Sequence, residues 1–337
     1  MLRTFTARLA TAVPSLIGVV IVTFLLTRVL PGDPAAYFAG PTATEQSIAE
    51  VRHQLGLDLP LWAQFVRYVQ DLIHGNLGQS LTTGQPVLSE ILTRLPASAE
   101  LVLCGLVFAI GIAIPLGVLA ALKQGSFIDH TCRVVTTAGV SVPVFFTGLL
   151  LVYVFYYQLG WSPAPLGRLD VFFSAPTDRT GFYLIDALLD GDGETFRAAL
   201  AQLILPALTL GIFALAPIAR MTRAAMLSVL SADFIRTARA AGLSTATVVI
   251  RYGFRNALLP VVTTLGMVFS FLLGAAGLVE KVFAWPGIGS YAVDALVASD
   301  YAPVQGFVLA MAILYISLNL VIDLLYTVID PRMRVAA

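Results

Sequence analysis

The sequence predicts an all-α membrane protein with six transmembrane helices, both termini in the cytoplasm and a helical extracytoplasmic segment after the first span. Three observations lead to this fold class. Mean hydropathy over the 337 residues is +0.86, and only 12% of them are charged, about half of the usual ~25%. Six uncharged runs are long enough for a span, which needs about 20 apolar residues. Basic residues are concentrated in alternate connections between these runs.

Each of the six runs is expected to form a helix, because lipid offers no partners to backbone groups that are not bonded within a helix or a closed barrel. The runs are Leu9–Thr27, Leu101–Leu122, Val134–Gly167, Ala198–Ala219, Ala257–Val279 and Tyr301–Ile322. Only the first two-thirds of the third run is needed for its span. Arg3 and Arg8 before the first run also suit a signal peptide, but no small-residue cleavage site follows before Pro31, so we interpret this run as an uncleaved span.

Prolines interrupt several of the predicted spans. Pro143 lies in the third run, Pro115 in the second, and Pro206 and Pro217 in the fourth. A broken helix frees backbone groups that need water or protein as a partner, so it can line a substrate path. Kinks without such a function are also common in membrane helices, so these prolines favour transport only slightly.

The positions of Lys and Arg predict the orientation in the membrane. With the N-terminus inside, the inner segments hold twelve basic residues close to span ends: Arg3, Arg8, Lys123, Arg133, Arg220, Arg223, Arg236, Arg239, Arg251, Arg255, Arg332 and Arg334. The two long outer segments, Pro31–Glu100 and Arg168–Arg197, hold six between them. We therefore divide the chain into a first transmembrane helix (1–30), an extracytoplasmic helical segment (31–97) and a core of five spans (98–337), with a cytoplasmic segment at 220–257.

Both outer segments contain local signals. Thr42 and Glu45 suit a capping box that begins a helix over 42–55, and a second helix over 60–74 has apolar residues at helical spacing. This second helix either lies on the outer membrane face or packs on the spans, or the two helices form a small cap without a partner. Arg168–Arg197 is acidic and is expected to be a solvated loop, with an acidic mouth for cationic solutes as the alternative.

Few residues could perform chemistry. The only lysines, Lys123 and Lys281, are followed by Gln and Val, so no P-loop can be written. GxSxG and HExxH are absent, and Cys104 and Cys132 lie too far apart in the sequence for a zinc or redox motif. His53 and His74 are interpreted as structural rather than as metal ligands. The chain is therefore expected to be no enzyme and to hold no cofactor, and its formal net charge of zero gives no field for nucleic acid.

Asp323 lies well inside the last predicted span, and Asn319 lies one turn earlier on the same helical face. An acid inside the membrane is a candidate proton relay. A relay needs a second titratable group, which the spans do not supply. We therefore interpret Asn319 and Asp323 as a structural polar pair that clamps a facing helix or a cytoplasmic arginine.

The most informative stretch is DFIRTARAAGLSTATVVIRYGFRNALLP, residues 233–260. It predicts a short helix over Asp233–Ala241, with Phe234, Ile235 and Ala238 on one face and the arginines on another. Gly242 is expected to end this helix, and Ser244 to cap a second helix over Thr245–Asn256. Two ordered helices joined at a glycine suit docking into a partner's groove. The simpler alternative is a basic anchor with a helical linker.

This stretch resembles the EAA loop of bacterial ABC importer permeases through Arg236-Thr237-Ala238, Gly242 and Leu259-Pro260. The usual Glu-Ala-Ala is missing and the distance from the glycine to Leu-Pro is longer, and both departures are typical of the peptide and nickel importer branch. Other matches follow in order along the chain: Leu30–Pro34, Leu55–Asp58, Gly75–Gly78, Arg94–Pro96, Trp285–Gly289, Asp300-Tyr301, Asn319-Leu320, Asp323 and Asp330–Arg332.

The resemblance implies the first, B-type permease subunit of a dipeptide, oligopeptide or nickel ABC importer, with the type I permease fold, in a bacterial inner membrane. Its implied partners are a homologous second permease that forms a heterodimer with it, two cytoplasmic ABC ATPases that carry ATP-Mg, and an extracytoplasmic solute-binding protein. The residues implied in ATPase coupling are Arg236, Thr237, Ala238, Arg239, Ala241, Gly242, Leu243, Arg255 and Pro260. The two helices of the first outer segment are a candidate for contact with the binding protein.

A self-sufficient secondary transporter or channel is the alternative from another functional class. It would need coupling-ion or gating residues within the spans, and Asp323 is the one acid well inside a span. The six runs also show no clear internal repeat. The sequence does not distinguish peptides from nickel, glutathione or sugars as the cargo.

Overall fold

A computed structural model of the protein describes residues 13–25, 34–40, 42–54 and 56–329. Their regular structure is helical, with an isolated antiparallel bridge between Gln79 and Pro86. The helices are α1 (Val13–Leu25), α2 (Pro34–Ala39), α3 (Glu45–Gln54), α4 (Leu61–Ile73), α5 (Val87–Leu122), α6 (Phe127–Ser141), α7 (Val144–Leu151), α8 (Tyr183–Asp190), α9 (Gly193–Leu230), α10 (Asp233–Ala240), α11 (Thr245–Thr247), α12 (Arg255–Val282), α13 (Ile288–Val297) and α14 (Tyr301–Ile329). Two π-helical turns, Val152–Gln158 and Val248–Phe254, continue α7 and α11.

Four of the described helices are long and apolar enough to cross a membrane: α5, α9, the continuous stretch from α11 through α12 (Thr245–Val282), and α14. They match the second, fourth, fifth and sixth predicted spans. The third predicted span is a bent pair, α6 and α7, which turns by 101° at Pro143. Most of the first predicted span is described, as the shorter apolar helix α1, and the few residues at its two ends lie outside the described ones.

Helix α9 extends beyond its predicted span at both ends. Asp192 caps α9 by accepting hydrogen bonds from the backbone of Glu194 and Thr195 at 3.1 and 3.0 Å. Helix α9 then runs for 38 residues through Pro206 and Pro217, which leave it continuous. Hydropathy marks only the part of a helix that faces lipid, so the capping residue sets its true start.

The described chain forms two compact units. The first contains Pro96–Gly289 and the described part of Ser317–Ala337, and the second contains Ser290–Ile316 and the described part of Leu2–Leu95. In the first unit α9 is the central helix, and eighteen of its residues are buried. Helices α5, α6, α7, α8 and α12 all pack against it or against one another.

Helix α5 approaches α9 closely at glycines, as expected where backbones must come together within a membrane. An ideal Cβ atom added at Gly117 would lie 2.7 Å from Thr222 Cβ and 2.8 Å from the Ala219 carbonyl oxygen. At Gly211 on α9, an added Cβ would lie 2.9 Å from the carbonyl oxygen of Gly105. A larger side chain at these positions has to separate the two helices.

We expect Gly117→Leu to destabilise the first unit, because overpacking costs about 1–3 kcal/mol or more when backbone blocks the new side chain. Gly111→Leu is the matched control on the same helix, since a Cβ at Gly111 meets nothing within 4 Å. Thermal unfolding of the detergent-solubilised protein checks this. Equal losses for the two variants would contradict the packing of α5 on α9.

The segment Arg168–Arg197 of the first unit is more ordered than the solvated loop predicted from its sequence. Arg168 is buried, and its guanidinium lies 2.6 Å from Glu100 Oε2 and donates to the Gly181 carbonyl at 2.7 Å. The other carboxylate oxygen of Glu100 accepts from the backbone N–H of Leu184 at 2.9 Å. Arg168 also stacks 3.5 Å above the Tyr183 ring. The prediction was wrong here because the partner of Arg168 lies 68 residues away in the sequence.

A second buried polar contact joins the first half of α5 to the end of α12 and the turn that follows it. Ser98 Oγ donates to Glu280 Oε1 at 2.6 Å and accepts from the backbone N–H of Ile288 at 2.9 Å. Trp285, which is fully buried, donates its indole N–H to the Ala97 carbonyl at 2.9 Å. Gly287 is required in this turn, because a Cβ there would overlap the Glu280 carboxylate. These hydrogen bonds hold the turn that follows α12 against α5.

In the second unit, α4 packs on the end of α1. The Phe24 ring lies 5.2 Å from that of Phe65, and Thr23 shares a 3.2 Å hydrogen bond with Tyr68. The predicted helix over 60–74 is confirmed as α4, and the one over 42–55 as α3. The predicted cap at Thr42 was wrong: Thr44 accepts from the backbone N–H of Ser47 instead.

His53 and His74 make local contacts. His53 Nδ1 lies 2.6 Å from Asp58 Oδ2, and this hydrogen bond lowers the pKa of the Asp58 carboxyl. His74 Nδ1 lies 2.8 Å from the Gln70 carbonyl oxygen. Among the described residues, no group of three or more His, Cys, Asp or Glu side chains could hold a metal ion.

Candidate functional site

The candidate site is the stretch from α10 to the start of α12, here called the coupling segment (residues 233–256). The predicted helix over Asp233–Ala241 is confirmed as α10, which ends at Ala240. Gly242 follows with φ +77°, a left-handed conformation that favours glycine. Ser244 then caps α11 by accepting from the backbone N–H of Thr247 at 3.3 Å. The segment is therefore two ordered helices joined by a tight turn.

A small apolar cluster holds α10 in place. Ile235, Ala238 and Val248 are buried together, with Val229 and Leu230 of α9 packed against them. The prediction that Phe234 shares this face was wrong, because Phe234 is 45% exposed while Ile235 is fully buried. The buried face of α10 has only two residues, so the rest of this short helix is available to a partner.

The second half of the coupling segment is anchored on α9 as well. Val249 is buried in a cluster with Met226, Ala225 and Ala257. An added Cβ at Gly253 would lie 3.3 Å from Met226 Cε, so this glycine lets the π-helical turn approach α9. Packed side chains therefore connect the coupling segment to both α9 and α12.

The exposed surface of the coupling segment combines basic and apolar side chains. Phe234 is 45% and Leu243 is 39% exposed. Arg236 and Arg239 project from the same short helix, and the Arg236 side chain is 83% exposed, 3.5 Å from Asp233. Aromatic residues and arginine are the types most enriched at protein–protein interfaces.

The structure separates the residues predicted for coupling into three groups. Arg236, Thr237, Arg239, Ala241, Gly242 and Leu243 are exposed. Ala238 is buried inside the segment, where it packs α10 on its neighbours. Arg255 is the exposed first residue of α12, and Pro260 lies half-buried within that helix, which continues through it.

An ion pair that sequence analysis missed lies beside the segment's anchor on α9. Arg223 donates to both carboxylate oxygens of Asp129, with Nε–Oδ1 at 2.6 Å and Nη2–Oδ2 at 2.9 Å. Asp129 also accepts from the backbone N–H of Gly125 at 3.0 Å. The pattern Ser126-x-x-Asp129 is a capping signal that was available in the sequence. Nothing in the sequence indicated that Arg223, 94 residues later, is the ion-pair partner of Asp129.

The other predicted polar pair is described only in part. Asn319 is exposed on α14, and the side chain of Asp323 lies outside the described residues. The clamp assigned to Asn319 and Asp323 therefore stays a prediction.

Comparison with known families decides the class of the protein. Residues 113–335 match the family described as "Binding-protein-dependent transport system inner membrane component", and residues 1–102 match its N-terminal companion, "Binding-prot-dependent transport system membrane comp, N-term". The chain belongs to this permease family. The permease is thus a multi-pass inner-membrane transport component.

Relatives match nearly the whole permease. It is 48% identical to the probable D,D-dipeptide transport system permease protein DdpB of Escherichia coli K12, over 94% of this chain and 92% of the relative. It is 47% identical to the di/tripeptide permease DppB of Pseudomonas aeruginosa, with 99% of each chain covered. The glutathione transport system permease protein GsiC of E. coli O6:H1 is 39% identical, also with 99% of each covered.

A solved structure supports the fold. The permease aligns with a chain of the inward-facing MetNI methionine ABC transporter with a TM-score of 0.51 and 18% identity, covering 70% of this chain and 93% of the other. The family match and this fold do not favour the alternative of a self-sufficient secondary transporter or channel. The relatives are transport components rather than enzymes.

Proposed function

We propose that the permease is the first membrane subunit of a dipeptide-type ABC importer and that it forms half of the translocation path. The relatives at 47% and 48% identity carry the names of dipeptide and di/tripeptide systems, whereas the glutathione permease is at 39%. This order supports short peptides as the cargo. In this assembly the permease pairs with a homologous second permease as a heterodimer.

The coupling segment is proposed to dock on one of two cytoplasmic ATPases that bind ATP-Mg. The observation that carries this proposal is that α10 is held rigidly by Ile235 and Ala238 while it exposes Phe234 and two arginines. The aromatic side chain supplies the anchor, and the arginines pair with acidic groups around it. Closure of the ATPases then moves α10 as a rigid body.

Within this mechanism each predicted coupling residue has a distinct part. Arg236, Thr237, Arg239, Ala241 and Leu243 form the docking surface. Ala238 is buried behind this surface and packs α10 on its neighbours. Gly242 provides the tight turn. Arg255 and Pro260 set how the coupling segment joins α12. The first turn of α12 is packed on α9 through Ala257.

The orientation that we propose places both termini and the coupling segment in the cytoplasm, because basic residues at span ends are retained inside. The outer helices α3 and α4 then face an extracytoplasmic solute-binding protein. Exposed apolar residues on α4, of which Trp62 is 72% and Ile73 is 77% exposed, support a contact surface there.

Uptake by the whole assembly tests this function. The permease is co-purified with its second permease and its ATPases, reconstituted in vesicles and supplied with the binding protein and a radiolabelled dipeptide. We expect uptake that requires both ATP and the binding protein, and that excess unlabelled dipeptide inhibits more strongly than glutathione. Dipeptide movement by this chain alone down an ion gradient would instead establish a secondary transporter.

A further inference from the structure

The break between α6 and α7 is open to its surroundings. Helix α6 ends at Ser141 and α7 begins at Val144, with a bend of 101° between them. Ser141, Val142 and Pro143 are all exposed. The carbonyls of the last turn of a helix have no partners within that helix. The break therefore presents backbone acceptors at a position inside the third span.

Close packing keeps this break open. On one arm, an added Cβ at Gly139 would lie 3.3 Å from the Ile212 carbonyl oxygen of α9. On the other arm, a Cβ at Gly148 would lie 3.2 Å from the Phe283 ring and 3.3 Å from Thr209. Both arms are thus seated against their neighbours, and the bend cannot straighten without separating them.

The break forms one wall of a cavity of about 720 Å³, a size typical of small-molecule sites. The opposite wall consists of Phe213 on α9 and of Ser270, Phe271, Gly274, Ala275 and Leu278 on α12. Hydrocarbon cannot satisfy exposed backbone carbonyls, and irregular backbone at membrane depth occurs where it is buried in protein or lines a wet cavity. We therefore expect that lipid does not fill this cavity.

The polar groups of the cavity are acceptors. The Ser141 hydroxyl donates a hydrogen bond to the Thr137 carbonyl at 2.8 Å, and the Ser270 hydroxyl donates one to the Gly266 carbonyl at 3.1 Å. Both hydroxyl oxygens therefore keep their lone pairs for a ligand. Together with the carbonyl end of α6, whose dipole favours a cation, they suit an ammonium group and amide N–H groups.

The rest of the lining suits apolar side chains. Phe213 and Phe271 stack with ring centroids 4.9 Å apart and an interplanar angle of 17°. Phe271 is 58% and Phe145 is 41% exposed. The residues that line the cavity include no charged side chain. Hydrogen-bond acceptors on both walls, next to a stacked aromatic pair, match the amino-terminal part of a short peptide.

We propose that this cavity is a binding site for the amino-terminal residue of the transported peptide. Its ammonium and first amide N–H groups face Ser141, Ser270 and the carbonyl end of α6, and its side chain lies on Phe213 and Phe271. This proposal rests on the proposed function, because it takes a peptide as the cargo.

Accessibility of a single cysteine tests the site. In a Cys104→Ala/Cys132→Ala background, Ser270→Cys is placed in the assembled transporter and treated from both sides with a charged, membrane-impermeant methanethiosulfonate. We expect rapid labelling, slowed roughly tenfold by a dipeptide at about ten times its Kd, and little protection by the N-acetylated dipeptide. Val107→Cys is the control: it is 68% exposed on α5, outside the cavity, and is expected to resist the charged reagent.

Three results would overturn the site. Labelling of Ser270→Cys only by a membrane-permeant maleimide means that lipid fills the cavity. Labelling only when the second permease is omitted means that the partner subunit covers it. Equal protection by free and acetylated dipeptide means that the ammonium group is not bound there. Uptake by the cysteine-free background is measured in the same vesicles, so failure of the proposed function is detected separately.

A second variant gives an independent measurement. Phe271→Ala is expected to raise KM several-fold for uptake of a dipeptide with an amino-terminal phenylalanine, because a stacked aromatic contact contributes about 0.5–1.5 kcal/mol. KM for diglycine, which has no side chain to lie on this ring, is expected to rise less. An equal rise in KM for both peptides would contradict a contact with the peptide side chain.

Discussion

Gly242→Asp is expected to lose most of its ATP-driven transport while the permease still inserts in the membrane. Gly242 has φ +77°, and a Cβ added to it meets nothing within 4 Å. The substitution therefore causes no clash, and the left-handed conformation costs an aspartate about 1 kcal/mol. What changes is the charge of a surface on which Arg236 and Arg239 are exposed. An acidic partner surface would be repelled by the new carboxylate.

Gly242→Asn is the matched control for this prediction, because asparagine has the shape of aspartate and tolerates the same backbone conformation without a charge. ATPase recovered with the affinity-purified permease is the measurement, together with ATP-dependent uptake. We expect Gly242→Asp to lose most of both and Gly242→Asn to retain most of both. Equal recovery for both variants would remove this turn from the docking surface.

Glu100→Gln is expected to destabilise the first unit strongly. It leaves Arg168 buried, with only 8% of its side chain exposed, beside a neutral amide. Removing one partner of a buried ion pair costs about 3–5 kcal/mol, because the remaining charge stays desolvated. The stacking of Arg168 on Tyr183 and its bond to Gly181 prevent the side chain from turning outward without further loss.

Helix α5 contains a natural control for that substitution. Glu90 pairs with Arg94 one turn along the helix at 2.8 Å, and 31% of the Arg94 side chain is exposed. Such a pair contributes about 0.5 kcal/mol, so Glu90→Gln should change stability little. Thermal unfolding of the purified variants compares the two. If Glu100→Gln lowers stability no more than Glu90→Gln, the buried pair does not hold the outer segment.

Local signals predicted the elements near the site well. Helix α10 ends where Gly242 adopts a left-handed conformation and α11 begins where Ser244 caps it, and both signals lie within a few residues of the features they control. The same holds for α4, which begins after Pro60. Apolar runs placed the long spans because length and hydropathy are also local properties.

Long-range contacts could not be predicted in the same way. Arg168 was assigned to solvent because nothing near it in the sequence indicates Glu100 as a partner. Phe234 was assigned to the packed face of α10, yet Val248 and the end of α9 are close enough to bury only Ile235 and Ala238. Which side of a short helix is covered depends on the neighbours, and an eight-residue pattern does not specify them.

A photo-crosslinking amino acid at Thr237 tests the central claim most directly. Thr237 is exposed on α10. The same amino acid at Ser174, which is exposed and which the proposed orientation places on the other side of the membrane, is the control. In the assembled transporter we predict a covalent product between position 237 and an ATPase subunit, and none from position 174. A product between position 237 and the solute-binding protein, or an ATPase product from position 174 alone, would contradict the claim that the coupling segment receives the motion of the ATPases.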